Sequence, residues 1–216
     1  MSGSTLESEL KFRSDDDAAL RRLATARTLG PALLGPASTI HEVDRYLDTS
    51  DLRLRASGWA CRLRTRGGQA RVSLKGPARH VRGALLHERP EVEGPVAVGD
   101  DPSTWPPSPA RDRLLAMAAD QPLGERCVLD QLRTERAVTI GTQRVGLLSL
   151  DRVSVRHEGA VLGDLHLVEL ELDATAMAAG LDPGPLAATL TIEPGLRPDE
   201  KSKLEHALEL IAAAGR

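Results

Sequence analysis

The feature that most constrains this chain is an alternation that recurs in about seven stretches, with charged residues at every second position and aliphatic ones between. It is first seen from Leu6 to Phe12, where Glu7, Glu9 and Lys11 alternate with Ser8, Leu10 and Phe12. Successive side chains of a β-strand point to opposite faces, so two carboxylates and an ammonium share one face there. Neighbours on that face lie about 6.6 Å apart, close enough for two carboxylates to serve one metal–phosphate cluster. A lone strand of this kind is more often a solvated face. The repetition argues otherwise. Trp59 to Arg66 and Gln69 to Lys75 flank Gly67-Gly68 and read as a hairpin, with Arg62, Arg64 and Arg66 on one face and Arg71, Ser73 and Lys75 beside them. Leu85 to Glu93 carries His87, Arg89, Glu91 and Glu93 on one face, and Val128 to Ile140 carries Arg133, Glu135 and Arg136. Arg144 to Leu150 ends at Asp151, and Gly163 to Leu172 aligns Glu169, Glu171 and Asp173 opposite Val168, Leu170 and Leu172.

An ordinary sandwich buries only one face of each strand and leaves the other wet. A closed antiparallel barrel instead turns the aliphatic set outward against helices and the charged set inward, in an α+β fold. Helices are expected from Ser14 to about Leu29, from Ala110 to Ala119, briefly after Ala174, and from Pro198 to the C-terminus with Leu204, Leu208 and Ile211 as its apolar stripe. Thr39 to Leu47 reads as a strand, Asp48 to Asp51 as a turn, Leu52 to Ala56 as a short helix or extended piece, and Ala188 to Glu193 as a final strand. Gly94 to Pro109 reads as an insertion within one domain spanning residues 1–216.

Burying so many ions is costly unless they are paired, hydrated or bound to a ligand of opposite charge. A polyanion with a divalent cation satisfies both sets: Arg and Lys hold phosphate oxygens, and Glu and Asp hold the metal. Composition narrows the classes. Net charge is −3 and aromatics are 2% of the 216 residues, against a nucleic-acid binder that stacks bases. The cations are concentrated between Leu52 and Pro90, where Glu88 is the one acid. No apolar run approaches a membrane span and no signal sequence is seen, so a cytoplasmic protein is expected. Cys61 and Cys127 make neither a disulfide framework nor a zinc pattern.

LESELKF resembles the ExExK signature of the CYTH superfamily, the triphosphate tunnel metalloenzymes, which implies that the closed antiparallel barrel has eight strands with helices packed outside. The resemblance continues in order through YLDT at Tyr46 to Thr49, RLR at Arg62 and Arg64, LKG around Lys75, LRTER around Arg133, SLDR around Asp151, ELELD around Glu169 and Glu171, and SK at Ser202-Lys203. It implies that Glu7, Glu9, Glu169 and Glu171 bind Mg2+ or Mn2+ with Asp151 assisting. Arg62, Arg64, Lys75, Arg133 and Lys203 then grip the triphosphate. Catalysis falls on Lys11 and Glu9, with Lys11 near the scissile phosphate, orienting water or stabilising the leaving group. The reaction implied is attack of metal-activated water on the terminal phosphorus. Lys201 competes with Lys203, but on one helix they lie about 200° apart, and the SK match selects Lys203.

The six histidines show no metal-ligand spacing; His166 has the wrong parity for the interior, and His87 is held in reserve. Glu91 and Glu93 read as partners for the arginine hairpin, Arg79 and Arg82 as solvated, and Asp48 and Thr49 as local turn formers. Cys61 should face outward. In thiamine triphosphatases an aromatic ring stacks on the thiamine, but alternation points Trp59 outward, and Trp105 has no better placement. Inorganic tripolyphosphate, which carries no base, is therefore the substrate expected. A thiamine or nucleoside triphosphatase, a class IV adenylyl cyclase, and a non-catalytic polyphosphate or nucleotide binder are the alternatives. The expected partner is a small-molecule triphosphate, with no membrane and no nucleic acid favoured; a homodimer stays open.

Overall fold

Strands with one charged and one aliphatic face pair here into a continuous antiparallel sheet that closes on itself. The computed structural model describes residues 5–80, 85–97 and 99–216. Arg82 lies outside them. Among the described residues the elements are, in chain order, β1 (Thr5–Ser14), α1 (Ala18–Thr25), β2 (Thr28–Leu29), β3 (Ala32–Leu34), β4 (Ser38–Thr49), α2 (Arg53–Ala56), β5 (Ala60–Arg66), β6 (Gln69–Lys75), β7 (Arg79–His80), β8 (Leu86–Pro95), α3 (Pro109–Ala118), β9 (Leu123–Ile140), β10 (Gln143–His157), β11 (Ala160–Leu172), α4 (Ala174–Ala178), α5 (Gly184–Thr191), β12 (Arg197–Pro198) and α6 (Lys203–Ala214). Eight strands form the barrel in the order β1, β8, β6, β5, β4, β9, β10, β11, and the β1–β11 ladder closes it. The short strands β2–β3, β7 and β12 are appended to β9, β8 and β1.

Outside the barrel the aliphatic faces are covered in two places. Leu10, Phe12, Leu148, Val168 and Leu170 pack against α1, α4 and α5, and Leu63, Val72, Leu74 and Val92 pack with Cys61 against α2, α3 and Trp105. Cys61 thus faces outward into core, as its parity requires.

The interior is not charged throughout. Cys127 and Leu129 share the inward parity of Arg133, Val153 and Val155 that of Asp151, and Leu167 that of Glu169. Together with Ala207 of α6 they form a third apolar cluster. The inward-charged, outward-aliphatic rule therefore holds over only part of the barrel, and α6 packs against the apolar part.

Four expected elements differ. The first helix stops at Thr25 rather than Leu29, because Thr28–Leu29 turns back on Ala32–Leu34 around Gly30. Gly30 has φ +56°, and a Cβ there would lie 2.4 Å from Thr189 Oγ1. The strand ending at Asp151 runs on to His157, since Val153 and Val155 continue the alternation. Ala188 to Glu193 is not a strand: α5 covers Gly184–Thr191, with Leu186 and Leu190 four apart and both buried on one face. The last helix begins at Lys203, not near Pro198, which pairs with Phe12 in β12. Its start is set by a capping box of Ser202 and Glu205.

Candidate active site in the barrel interior

Barrel closure sets which charges meet. Across β1 and β11, Glu9 opposes Glu171 and Lys11 opposes Glu169; across β1 and β8, Glu7 opposes Arg89. Lys75 opposes Glu91 across β6 and β8, and Arg133 opposes Asp151 across β9 and β10. The result is a cavity of about 270 Å³, lined by seven cationic and six acidic side chains. Ten of the eleven residues nominated from sequence line it, Asp151 being the exception. Asp151 lies fully buried behind the wall.

The charges neutralise one another in two groups. In the first, Glu7 accepts from Lys75 Nζ at 2.7 and 2.9 Å and from Arg89 Nε at 2.7 Å, while Arg89 also donates to Glu9 at 3.0 Å. Burial alone would raise the Glu7 carboxyl, but Lys75 and Arg89 outweigh it and hold its pKa at about 2. Glu9 moves the other way. Burial raises its carboxyl, Arg89 opposes, and the like charges of Glu169 and Glu7 add to the rise. Burial, with Arg89 and Arg62 nearby, pushes the Lys75 ammonium down.

In the second group Arg133 donates both arms to Asp151 at 2.8 Å and reaches Glu169 at 3.0 Å. Lys203, from the first turn of α6, bonds Asp151 at 2.6 Å and Glu169 at 2.9 Å. Burial works against the Glu169 charge, yet Lys203 and Arg133 hold the carboxyl well below its usual range. Lys201, by contrast, precedes the helix; its ammonium pairs with Glu209 outside, and only its carbonyl turns inward. Its exclusion is settled by the N-cap rather than by a 200° rotation along one helix.

Arg64 is clamped by Asp44 through two bonds of 2.7 Å. Arg62 is held more loosely, donating to Ser73 Oγ at 3.1 Å with Asp44 and Glu91 3.8 and 3.7 Å away. Glu91 and Glu93 do pair with the hairpin, at Arg62 and Lys75 and at Arg71. Sequence reasoning passed over Arg89, Asp44 and Glu42. Arg89 was visible on the charged face of its strand, and Glu42 and Asp44 share the parity of Tyr46 in β4; a period-two count there would have found them.

Other readings resolve simply. Asp48 accepts from the backbone N–H groups of Thr49, Leu54 and Arg55, a local role. Arg79 is exposed beside Glu88. His166 is half-buried and does not line the cavity, whereas His87 is buried opposite Glu9. Arg136 faces outward, where its guanidinium donates to the carbonyls of Leu23, Ala26, Leu34 and Gly35.

The carboxylate oxygens fit a hard divalent cation by their chemistry. Among the described residues, however, no three acidic, His or Cys side chains are gathered to hold one. Glu7, Glu9 and Glu169 are drawn instead to Lys75, Arg89, Arg133 and Lys203.

A second cavity, of about 880 Å³, shares Glu9, Lys11, Tyr46, Lys75 and Arg89 with the first. It opens between Trp59 and Pro77 on one side and Leu204, Leu208 and Ile211 of α6 on the other. The Arg113 guanidinium lies 4.4 Å from the Trp59 ring centroid, so one ring face is already covered.

Residues 5–208 match the CYTH domain model. The chain belongs to the CYTH domain family. No significant match is found among the curated proteins. Solved structures of similar fold include HpAC1 from Hippeastrum, an adenylyl cyclase candidate described as having a dominant triphosphatase activity, at 19% identity over 94% of this chain and 95% of that one, TM-score 0.68. A candidate adenylate cyclase from Bacillus halodurans aligns at 18% identity over 93% of this chain and 97% of that one, TM-score 0.57. The PH1819 protein of Pyrococcus horikoshii aligns at 15% identity over 93% and 98%, TM-score 0.52. At these identities the likeness is one of fold, and it places the CYTH barrel, not its substrate. No helix among the described residues of this CYTH domain is long and apolar enough to cross a membrane.

Proposed function

We propose that this CYTH domain hydrolyses a triphosphate with the help of Mg2+ or Mn2+, with inorganic tripolyphosphate as its simplest substrate. The observation that carries the reading is the convergence of Glu7, Glu9, Lys11, Glu169 and Glu171 with Arg62, Arg64, Lys75, Arg133 and Lys203 on one small cavity. Seven cations against six acids leave it nearly neutral, so a polyanion enters only with compensating positive charge. A divalent cation held by Glu7, Glu9, Glu169 and Glu171 would supply that charge and Lewis-acid activation of water.

The chain's own residues do the rest. Lys75, Arg133 and Lys203, released from their carboxylates, would bind phosphate oxygens, and Arg62 needs the least release. Arg64 stays paired with Asp44 and would contribute its remaining N–H donors. Water oxygen attacks the terminal phosphorus as the bridging P–O bond breaks, giving orthophosphate and diphosphate. Lys11 would neutralise charge on the transferred group or the leaving oxygen. Glu9, with its raised carboxyl, is suited to take the water proton. Asp151 would orient Arg133 and Lys203 from behind the wall.

Orthophosphate release from tripolyphosphate, with Mg2+, with Mn2+ and with chelator, tests this directly. No metal-dependent release from any triphosphate, with tight binding retained, would favour a non-catalytic polyphosphate binder. The 880 Å³ cavity favours a second reading, an organic triphosphate whose apolar part lies against Leu208 and Ile211. ATP and thiamine triphosphate, compared by kcat/KM with tripolyphosphate, decide between the two, and detection of cyclic AMP would signal cyclase chemistry. Leu208→Glu should lower kcat/KM for the organic substrate alone.

A further inference from the structure

The cations around the charged cavity differ in what holds them. Lys75, Arg64, Arg89, Arg133 and Lys203 all donate to carboxylates. Lys11, although buried, donates from Nζ to the Lys201 carbonyl at 2.9 Å, and no salt bridge from it is seen among the described residues. Its cross-strand neighbour is Glu169, which would be the natural counter-ion for a flexible ammonium. A carbonyl partner leaves the ammonium outside any ion pair among the described residues, although its charge helps to hold down the Asp199 and Glu205 carboxyls.

That carbonyl belongs to residues 199–202, an irregular link between β12 and α6. Asp199 pins the link from both sides: its N–H donates to the Lys11 carbonyl at 2.9 Å, and its Oδ1 accepts from Lys201 N at 3.1 Å. Its Oδ2 lies 2.6 Å from His206 Nε2, with the two side chains 5% and 9% exposed. A carboxylate only accepts, so Nε2 carries the proton. The capping box of Ser202 and Glu205 already starts α6 without this couple. Neither residue lines the cavity.

We propose that Asp199 and His206 form a positioning couple that fixes the Lys201 carbonyl and so aims the Lys11 ammonium at the ligand instead of at Glu169. The inference rests on the role given to Lys11 above. It makes the C-terminal link part of the site through one backbone oxygen.

The test uses the full chain with His206→Ala, His206→Gln, Lys11→Ala and the double variant. Two readouts are taken: kcat and KM for tripolyphosphate with Mn2+, and labelling of Lys11 relative to Lys75 by a small amine-directed reagent. His206→Ala should lower kcat about tenfold with KM within about twofold, and in the Lys11→Ala background it should add less than about twofold. Labelling of Lys11 should change severalfold, and His206→Gln, whose amide still reaches Asp199, should restore most of both. An equal kcat loss in the two backgrounds, or unchanged labelling in a folded His206→Ala, overturns the proposal. If His206→Ala does not fold, Asp199→Asn takes its place under the same criteria. Should the wild type hydrolyse no triphosphate, the functional reading fails, while labelling still decides whether the couple positions Lys11.

Discussion

Glu7→Gln probes the self-neutralised interior most directly. Glu7 sits between Lys75 and Arg89 with its pKa at about 2 against an ordinary 4.5. A folded pKa below the unfolded one means stability that is fully present above about pH 4.5 and is lost as pH falls towards 2. The shift is worth about 3 kcal/mol at neutral pH, by 1.36 kcal/mol per pH unit. Replacing the carboxylate also leaves two buried cations short of a partner, for which a loss of about 3–5 kcal/mol is usual. Urea unfolding at pH 7 should therefore show Glu7→Gln destabilised by about 3 kcal/mol, with the difference roughly halved by about pH 3 and nearly gone at pH 2 as wild-type Glu7 takes up a proton. The same variant should bind tripolyphosphate more tightly than wild type when metal is absent, because Lys75 and Arg89 then keep only Glu91 and Glu9 as partners, and should gain less from Mn2+. A loss under about 1 kcal/mol at pH 7, or an equal loss at both pH values, would refute the reasoning.

Three further outcomes are expected. Mn2+ affinity, followed by calorimetry, should start to fall as pH drops while still above the ordinary carboxyl value of 4.5, because burial, against Arg89, keeps the Glu9 carboxyl raised and the metal needs it ionised; a flat profile would remove Glu9 from the ligand set. Arg136→Met should destabilise the fold by about 2–4 kcal/mol in urea while leaving tripolyphosphate affinity unchanged, since its guanidinium serves only carbonyls outside the barrel interior. Cys61 and Cys127 should resist alkylation until the protein unfolds: burial raises both thiols, Cys127 to about 12, and fast labelling of the native protein would contradict their placement.

Much of the barrel is legible because period two is a local property. β1, the β5–β6 hairpin and β11 each show their two faces within about seven residues, and every nominated charge except Asp151 reaches the cavity. Where local signals were equivocal, the reading failed. The expected strand over Ala188 to Glu193 falls largely in α5, where burial of Leu186 and Leu190 against the sheet selected the helix. Arg133, Glu135 and Arg136 look like one charged group, yet Arg136 has the opposite parity and leaves the interior. Lys203 was rightly preferred to Lys201 on the SK match, and the position of the Ser202 cap supplies the physical reason.

By itself the sequence determined which side chains share a face, hence that the strands needed a closed sheet and that the interior needed ionic partners. Which ions meet was decided only by tertiary structure. Register across β1–β11 and β9–β10 joins residues far apart in the chain, setting Lys11 opposite Glu169 and Arg133 opposite Asp151. The same closure packs α6 onto an apolar part of the interior and carries the Lys201 carbonyl to Lys11. Periodicity is written into neighbouring residues, whereas a counter-ion is chosen by the closure of the whole sheet.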